Sequence, residues 1–330
     1  MRILVLGGAG YIGSHFVKTA IEQGHAIIVV DNLVNGHVEA IDSNALFVKG
    51  DIHDTALLDS VFDKYSIDAC LHFAAFSLVG ESMKIPNAYF YNNVSGTLSL
   101  LESMERHGVK KIVFSSSAAV YGAHKEMPIT EQFPMIPTNP YGETKLQMEK
   151  MMHWADVAYG IKYVSLRYFN VAGASLDATI GEDHHPETHL IPIVLQVPLN
   201  KRSFITIFGN DYDTLDGTCI RDYIHIDDLV DAHLKALDYL NRNQSSNIFN
   251  LGTEKGYSNL EIVEVARKVT KHPIPIKIGP RRAGDPDKLV ASFHKAFDIL
   301  HWQPTKGIEE IISSAWAFHL AHPEGFGGQK

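Results

Sequence analysis

The sequence contains little cysteine, no long apolar run and no excess of positive charge. Its two cysteines, Cys70 and Cys219, are too few for a disulfide framework. The apolar runs are too short to span a bilayer, and no signal-peptide pattern precedes the first of them. The net charge of -9 argues against a nucleic-acid partner, because proteins that bind nucleic acid carry basic patches. We therefore expect a cytoplasmic protein with neither a nucleic-acid nor a membrane partner.

A short apolar run, residues 2–6, leads directly into a glycine-rich turn, and a helical pattern follows to about residue 23. Between them stand three glycines. Gly7 permits a tight turn, Gly10 lets a pyrophosphate approach the backbone, and Gly13 lets the helix pack closely on the strand. The free N–H groups at the start of the helix favour phosphate groups. Because the strand and the helix flank the glycines in the required order, they predict a dinucleotide-binding site.

An acidic residue ends the second predicted strand, residues 26–30. A carboxylate at this place, Asp31, can accept hydrogen bonds from both adenosine ribose hydroxyls and repels a 2′-phosphate, which favours NAD over NADP. Asn32 could assist it. The next predicted strand ends with Asp51 and Ile52, which are placed to meet the adenine. We therefore predict NAD as the cofactor.

Strand and helix patterns alternate through the first half of the chain. Further strands are predicted at residues 46–52, 68–73, 110–114 and 162–167, and helices at residues 56–64, at 86–107 and after Pro140. This alternation predicts an α/β fold of the Rossmann type, with a doubly wound parallel sheet. Ligands bind such sheets at the carboxyl ends of the strands. At one of those ends Phe73 is followed by Ala74 and Ala75, which leave room for a cofactor.

The regular alternation ends after the sixth predicted strand. Residues 171–221 hold many Pro, Asp, His and Gly, whereas strand patterns at 222–226 and 247–251 flank a helical pattern at 227–239. We return residues 247–251 to the sheet. We predict that residues 1–170 and about 222–252 form the NAD-binding domain. A smaller, discontinuous α/β domain of about 171–221 and 253–330 is predicted to bind the substrate.

A tyrosine and a lysine stand four residues apart at the start of the helix after Pro140. Tyr141 and Lys145 share one face of that helix. A lysine ammonium one turn away would lower the phenol pKa from about 10, so the pair could move a proton to or from a sugar or alcohol hydroxyl. This spacing alone is more often found in two surface residues. Its place in the chain, after the fifth strand and Ser117, favours the catalytic interpretation.

These motifs occur together in the extended short-chain dehydrogenase/reductase superfamily, which the chain resembles. Within it, longer matches over nearly the whole chain resemble the UDP-glucose 4-epimerase family. The matching segments are residues 7–15, 79–82, 114–118, 141–145, 167–170, 208–212 and 217–225. Together they are far more specific than any one of them.

The resemblance implies a reversible oxidation of a sugar at C4. Tyr141, helped by Ser117, would take the proton of the 4-hydroxyl while the C4 hydride passes to NAD. The 4-keto sugar would then rotate and take the hydride back on its other face. Lys145 would hold the nicotinamide ribose and, with the positive nicotinamide, lower the pKa of Tyr141. The implied reaction is the interconversion of UDP-glucose and UDP-galactose, with NAD bound throughout.

The resemblance also implies which residues contact each ligand. Cofactor contacts are expected from Gly7, Gly10, Tyr11, Ile12, Gly13, Asp31, Asn32, Asp51, Ile52, Phe73, Ala74, Ala75, Tyr141, Lys145 and Tyr168. On the UDP-hexose, Asn170, Arg221 and Arg282 would contact the diphosphate, Phe208 would line the uracil pocket, and Asp285 would bind the uridine ribose. Ser117, Tyr141, His189, Leu190 and Leu289 would lie near the sugar.

Related activities leave residue signatures that can be compared with this chain. Sugar 4,6-dehydratases carry Asp-Glu where this chain has Ala118 and Ala119, and decarboxylases usually keep a Glu at the second position. Neither alanine can move a proton. A dinucleotide-binding sensor would be expected to lack Tyr141 or Lys145. A 4-epimerase of a UDP-sugar acid, or another nucleotide-sugar enzyme of the superfamily, stays open.

Three departures from the family bear on the substrate. Ser77 replaces a frequent lysine, His189 replaces a frequent asparagine, and Leu289 stands where some members have a tyrosine that narrows the sugar pocket. The leucine would leave room for a 2-acetamido group, so we hypothesise that UDP-N-acetylglucosamine is also accepted.

Two further expectations concern metals and assembly. A loop-like stretch holds His184, His185 and His189 without a regular ligand spacing, so no metal site is predicted. The family is usually a homodimer formed by the helix after Pro86 and the helix that bears Tyr141. Met148, Met151 and Met152 could serve that interface, although such positions are more often core.

Overall fold

A seven-stranded parallel sheet is the centre of the fold. The computed structural model describes residues 1–282 and 285–327. Its strands are β1 (Arg2–Leu6), β2 (Ala26–Asp31), β3 (Leu46–Lys49), β4 (Ala69–His72), β5 (Lys111–Ser115), β6 (Lys162–Tyr168), β7 (Asn170–Ala172), β8 (Ile205–Phe208), β9 (Ile220–Arg221), β10 (Tyr223–His225), β11 (Asn247–Leu251), β12 (Tyr257–Ser258), β13 (Ile276–Gly279) and β14 (Lys288–Leu289). The sheet order is β11-β6-β5-β4-β1-β2-β3. This confirms the predicted Rossmann-type sheet and the return of residues 247–251 to it.

Helices cover both faces of this sheet. They are α1 (Tyr11–Glu22), α2 (Thr55–Lys64), α3 (Val79–Ser82), α4 (Pro86–Tyr89), α5 (Gly96–Arg106), α6 (Pro140–Tyr159), α7 (Leu190–Leu195), α8 (Ile226–Asn243), α9 (Asn259–Thr270), α10 (His294–Leu300) and α11 (Ile308–Ala321). Side chains of α1, α8 and α10 pack in one apolar cluster with the sheet, and those of α2, α5 and α6 in another. Because both faces are covered, the strands are apolar without alternation. Among the described residues, no helix is both long and apolar enough to cross a bilayer.

The predicted helix at residues 86–107 is interrupted by a wider turn. The segment Phe90–Ser95, between α4 and α5, is a π-helix. It turns the buried Asn93 inward, where its amide nitrogen donates to the Phe76 carbonyl (3.1 Å) and to Thr144 Oγ1 (3.0 Å). The predicted helix is therefore present over residues 86–106, and its π-helical turn lies where an inward amide ties three segments together.

Helix α6 buries the methionines that could have formed a subunit interface. Met148 and Met152 are fully buried in the sheet core, and Met151 is packed against the same cluster. The exposed apolar side chains of this helix are instead Trp154 and Val157, among others. The helix therefore presents a different face from the one suggested by the methionines.

Three small sheets and a third apolar cluster lie outside the main sheet. The small sheets have the orders β10-β7, β12-β9-β14 and β13-β8. Their cluster includes side chains of α7, α9 and α11. The strand predicted at residues 222–226 is shorter, because Ile226 already begins α8, and it pairs in parallel with β7. The division of the chain into two domains stays a prediction.

A buried ion pair joins α6 to the carboxyl end of β6. Arg167 donates from Nε to one carboxylate oxygen of Glu149 (2.9 Å) and from Nη2 to the other (2.5 Å), and both side chains are almost fully buried. Nη1 donates to the Tyr121 hydroxyl (2.7 Å), which in turn donates to Asn250 (2.7 Å). Ser116 donates to the same carboxylate (2.5 Å). This network fixes the position of α6 on the sheet.

We predict that Glu149→Gln destabilises the protein strongly, because it leaves the Arg167 charge buried without its partner. Loss of one member of a buried pair costs about 3–5 kcal/mol. The free energy of unfolding is to be measured by urea denaturation. The control is Asp238→Asn, which breaks an exposed pair with Arg242 on α8 and should change stability by less than about 1 kcal/mol. Equal effects of the two substitutions would contradict the prediction.

Candidate active site

A groove opens at the carboxyl ends of β1, β2 and β4. Its empty volume is about 630 Å³, a figure that includes space open to solvent. Its lining residues are Leu6, Gly7, Gly10, Val30, Asp31, Asn32, Val34, Asn35, Gly36, Gly50, Ile52, Phe73, Ala74, Ala75, Phe76 and Asn92. The sheet order reverses between β1 and β4, and such a switch point is where ligands bind to doubly wound sheets.

The three glycines of the β1–α1 turn have different physical roles. Gly7 has φ +80°, and a Cβ on it would lie 2.6 Å from the backbone nitrogen of Ala74. A Cβ on Gly13 would lie 2.1 Å from the Gly7 carbonyl oxygen, so only glycine allows α1 to pack here. A Cβ on Gly10 would meet nothing in the protein closer than 3.4 Å. The absence of a side chain at Gly10 therefore leaves the floor of the groove open to a ligand.

The start of α1 offers N–H groups beside this open floor. Tyr11 begins the helix, and no side chain caps its N-terminus. The Tyr11 hydroxyl turns away and donates to the Gly173 carbonyl (2.7 Å), while Ile12 packs against the sheet core. The backbone at Tyr11 and Ile12, rather than their side chains, is thus suited to a phosphate group.

Asp31 stands at the end of β2 in the wall of the groove. Its two carboxylate oxygens accept hydrogen bonds from the backbone nitrogens of Ala9 (3.0 Å) and Leu33 (2.8 Å). Burial raises the pKa of Asp31, although these two hydrogen bonds oppose the shift. Each oxygen keeps a second lone pair for a ribose hydroxyl. The residues present therefore fit an adenine dinucleotide.

Asn32 and Asp51 form a second polar pair near the same edge. Asn32 Nδ2 donates to Asp51 (2.9 Å), whose other oxygen lies 2.6 Å from His53 Nδ1. Burial would raise the pKa of Asp51, but hydrogen bonds from His53 and Asn32 outweigh it and lower that pKa. Ile52, the residue after Asp51, lines the groove, as Asn32 does.

The opposite wall comprises Phe73, Ala74, Ala75 and a residue that the sequence did not single out, Phe76. Asn93 holds this wall by pairing with both backbone groups of Phe76. A regular-helix interpretation of residues 86–107 hid that contact. The only sequence signal was the presence of two adjacent asparagines, Asn92 and Asn93, in an otherwise ordinary helical pattern.

The structure brings Ser117, Tyr141 and Lys145 to the carboxyl end of β5. Asn139 caps α6 by accepting from the Gly142 nitrogen (2.9 Å), which places Tyr141 in the first turn. Lys145 Nζ lies 5.9 Å from the centroid of the Tyr141 ring. The two side chains therefore face the same side of the helix, as predicted.

The electrostatics of this pair differ from the expectation. Burial raises the pKa of Tyr141, with the Ser117 hydroxyl opposing the shift, and Lys145 is not among the causes. Lys145 donates instead to the Ser115 carbonyl (2.8 Å), and burial lowers its pKa to about 7 against the opposing charge of Glu149. The expected lowering of the Tyr141 pKa by Lys145 is thus wrong for the protein without ligands, because desolvation dominates.

Tyr168 belongs to a buried hydrogen-bond chain beside these residues. Its hydroxyl donates to Ser115 Oγ (3.0 Å), which lies 2.9 Å from His233 Nε2, and His233 Nδ1 lies 2.8 Å from the Leu229 carbonyl. A carbonyl can only accept, so Nδ1 carries the proton and Ser115 donates to Nε2. Burial lowers the pKa of His233 to about 4, so the ring stays neutral. The sequence did not reveal His233, which lies within the apolar pattern of α8.

Four of the expected UDP contacts form two side-chain pairs. Arg221 donates to Asp285 (2.7 Å) and to the carbonyls of Ile220 and Pro286. The guanidinium of Arg282 lies 4.3 Å from the centroid of the Phe208 ring. Asn170 donates from its amide nitrogen to the backbone carbonyl of Asp222 (3.0 Å), and the second N–H of that amide remains available to a ligand.

The residues expected near the sugar are placed in two regions. His189 precedes α7, which Leu190 begins, and its Nδ1 contacts Glu182. Burial would lower the pKa of His189, but the carboxylates of Glu182 and Glu187 raise it to about 9. Leu289 packs against the cluster that contains Ala118, the residue after Ser117. The same cluster contains Ile129, and the place of Leu289 in the sugar pocket stays a prediction.

Comparisons with known proteins agree over the full chain. The model of the NAD dependent epimerase/dehydratase family matches residues 3–252. A UDP-glucose 4-epimerase of Lacticaseibacillus casei is 58% identical over 328 residues, covering 99% of each chain. A crystal structure of a UDP-glucose 4-epimerase has a TM-score of 0.97 at 52% identity, covering 98% of this chain and 99% of the other. One from Bifidobacterium longum, in complex with NAD+ and UDP, has a TM-score of 0.94 at 39% identity, covering 98% and 100%.

The groove, the glycine turn and Asp31 agree with the cofactor in the family's description, and the tyrosine and lysine of α6 lie at the same edge of the sheet. These features and the full-length matches lead to one assignment. The chain belongs to the NAD dependent epimerase/dehydratase family.

Proposed function

We propose that this protein is an isomerase that interconverts UDP-glucose and UDP-galactose through a 4-keto intermediate. The observation that carries the proposal is the position of Tyr141, Lys145 and Ser117 at the carboxyl edge of the sheet, beside a groove suited to a dinucleotide. The names of the full-length relatives support the same substrate. NAD, when bound, supplies a reversible oxidant for the sugar C4.

The chain's own residues then have distinct tasks. Tyr141 removes the proton of the sugar 4-hydroxyl and returns it, and Ser117 orients that hydroxyl. Lys145 is held by the Ser115 carbonyl in a buried position from which its ammonium can hold the cofactor ribose. The glycine loop and Asp31 hold the cofactor. The nucleotide of the substrate is held by Arg221, Arg282, Asn170, Phe208 and Asp285.

We expect the purified protein, with no added cofactor, to convert UDP-galactose to UDP-glucose, as separated by anion-exchange chromatography. Tyr141→Phe removes the proton-transferring hydroxyl and should lower kcat by about 10²–10⁴-fold. The control is Tyr65→Phe, a partly buried tyrosine beyond α2, which should keep the full rate.

Two outcomes would contradict this proposal in different ways. If Tyr141→Phe retained most of the activity, Tyr141 would not be the proton-transferring residue, but the proposed interconversion of UDP-glucose and UDP-galactose would still hold. No conversion by the unmodified protein, even with NAD supplied, would exclude the neutral hexose as substrate. UDP-glucuronate would then be tested, because a 4-epimerase of a sugar acid is the alternative.

The position of Leu289 also supports acceptance of 2-acetamido sugars. We expect Leu289→Tyr to lower the turnover of UDP-N-acetylgalactosamine relative to that of UDP-galactose by at least about tenfold, equivalent to ~1.4 kcal/mol of steric cost. Retained turnover of UDP-galactose by the variant is the internal control for folding. An unchanged ratio of the two rates would contradict the role of Leu289.

Assembly belongs to the same proposal. Helices α5 and α6 expose Leu98, Trp154, Val157 and Tyr159, and aromatic side chains such as those of Trp154 and Tyr159 are enriched at subunit interfaces. We therefore propose a homodimer through these two helices, in a cytoplasmic protein. The apolar contribution of α6 to that interface comes from Trp154 and Val157 rather than from the buried methionines.

A further inference from the structure

The segment before α7 gathers four potential metal ligands. Glu182, His184, Glu187 and His189 each offer one donor atom, and these atoms all lie within 4.8 Å of one another. His184 Nδ1 lies 3.3 Å from Glu182 and 3.9 Å from Glu187, and His189 Nδ1 lies 3.7 Å from Glu187 and also contacts Glu182. The spacing E-x-H-x-x-E-x-H thus folds into one compact set of donors.

The negative charge of the two carboxylates in this cluster has to be balanced within the cluster itself. Glu182 is only 4% exposed, and burial of an unpaired carboxylate is costly. Within the described residues, no lysine or arginine forms an ion pair with Glu182 or Glu187, and the side chains that contact both carboxylates are the two imidazoles. A divalent cation would balance the charge of both carboxylates.

One donor atom of the cluster is unsatisfied. His184 Nδ1 is buried and has no hydrogen-bond partner among the residues that the structure describes, although Glu182 is close. Glu187, by contrast, is already oriented, since one of its oxygens accepts from the backbone nitrogens of Thr188 (2.7 Å) and His189 (2.8 Å). A buried imidazole nitrogen aimed at two carboxylates, one of them held in place, is an arrangement that a metal ion completes.

The donor chemistry indicates which ion. Two imidazole nitrogens with two carboxylate oxygens suit Zn²⁺, whereas Mg²⁺ prefers oxygen donors and water. Donors at Zn–N and Zn–O distances near 2.0–2.1 Å in a tetrahedron are separated by about 3.3 Å. Three of the separations between imidazole nitrogens and carboxylate oxygens in this cluster, 3.3, 3.7 and 3.9 Å, equal that value or exceed it by up to about 0.6 Å. The four donor atoms all lie within 4.8 Å of one another, so they would move slightly closer together around an ion.

We propose that Glu182, His184, Glu187 and His189 form a binding site for one zinc ion. This differs from the sequence interpretation, which weighed His184, His185 and His189 and predicted no metal. His185 lies outside the set and contacts Asp183 instead (3.2 Å). Both carboxylate ligands were missed because the interpretation considered histidines alone.

The site would connect two parts of the candidate active site. The ring of Tyr11, at the start of α1, packs edge-on against His184 with the ring centroids 6.4 Å apart. His189 directly precedes Leu190, which begins α7. A zinc ion here would fix the segment before α7 against the helix that follows the glycine turn. The proposal goes beyond the epimerase activity and does not depend on it.

Zinc binding by the full chain, stripped with a chelator and dialysed, is to be measured by isothermal titration with Zn²⁺. We expect one Zn²⁺ per chain, no comparable binding of Mg²⁺, and at least about tenfold weaker Zn²⁺ binding by His184→Ala. Glu182→Gln should weaken binding likewise. The control, His185→Ala, removes a histidine of the same segment outside the donor set and should bind zinc normally.

Each contrary result has a definite meaning. Absence of a one-to-one zinc complex in the unmodified protein would overturn the proposal. Equal zinc affinity of His184→Ala and the unmodified protein, or a loss confined to His185→Ala, would overturn it as well, since the ion would then bind elsewhere. A circular dichroism spectrum of each variant separates loss of ligands from loss of folding. None of these outcomes bears on the epimerase assay.

Discussion

The buried ion pair between Glu149 and Arg167 holds α6, the helix that bears the proposed catalytic residues, in place. Helix α6 has Tyr141 and Lys145 on the turns that precede Glu149, and Arg167 lies near the end of β6. Because both charges are removed from water, each depends on the other, and a rotation of α6 would break several hydrogen bonds at once. The position of the Tyr141 phenol is therefore set by a contact two turns away from it.

Burial also determines which protonation states of Tyr141 and Lys145 are favoured. Without ligands, burial favours the neutral forms of both Tyr141 and Lys145, since its effect is to raise the first pKa and to lower the second. A phenolate would then form only when a bound ligand adds favourable charge nearby. In the proposed reaction the positive nicotinamide would have this role. Proton removal would thus depend on the cofactor, which suits an enzyme that keeps it bound.

The parts that could be predicted from the sequence are those that local patterns determine. Gly7 and Gly13 are required by backbone approaches of 2.6 and 2.1 Å within a single strand–turn–helix unit, so their spacing carries the information. Continuous apolar runs identified the strands because both sheet faces are covered. The four-residue spacing of Tyr141 and Lys145 predicted that their side chains share one face of α6, because residues four apart are neighbours on a helix surface.

What the sequence could not give are contacts between distant segments. At the π-helical turn, Asn93 contacts Phe76 and Thr144. The residues near Asn93 in the chain do not indicate either partner. His233 pairs with Ser115 across 118 positions. Burial of Met148 and Met152 depended on which side of α6 meets the sheet. The pKa of Tyr141 likewise depends on its surroundings rather than on Lys145 alone.

The two ligand-binding regions differ in how they are prepared. The proposed cofactor region is defined by backbone: a glycine turn in which Gly7 and Gly13 admit no side chain, free N–H groups, and a carboxylate held by two backbone nitrogens. On the proposed substrate side, by contrast, Arg221 is paired with Asp285 and Arg282 with Phe208. A diphosphate bound there would compete with those pairs, which would cost part of its binding energy. A rigid backbone cradle and exchangeable side-chain pairs would give firm retention of NAD and ready release of the sugar nucleotide.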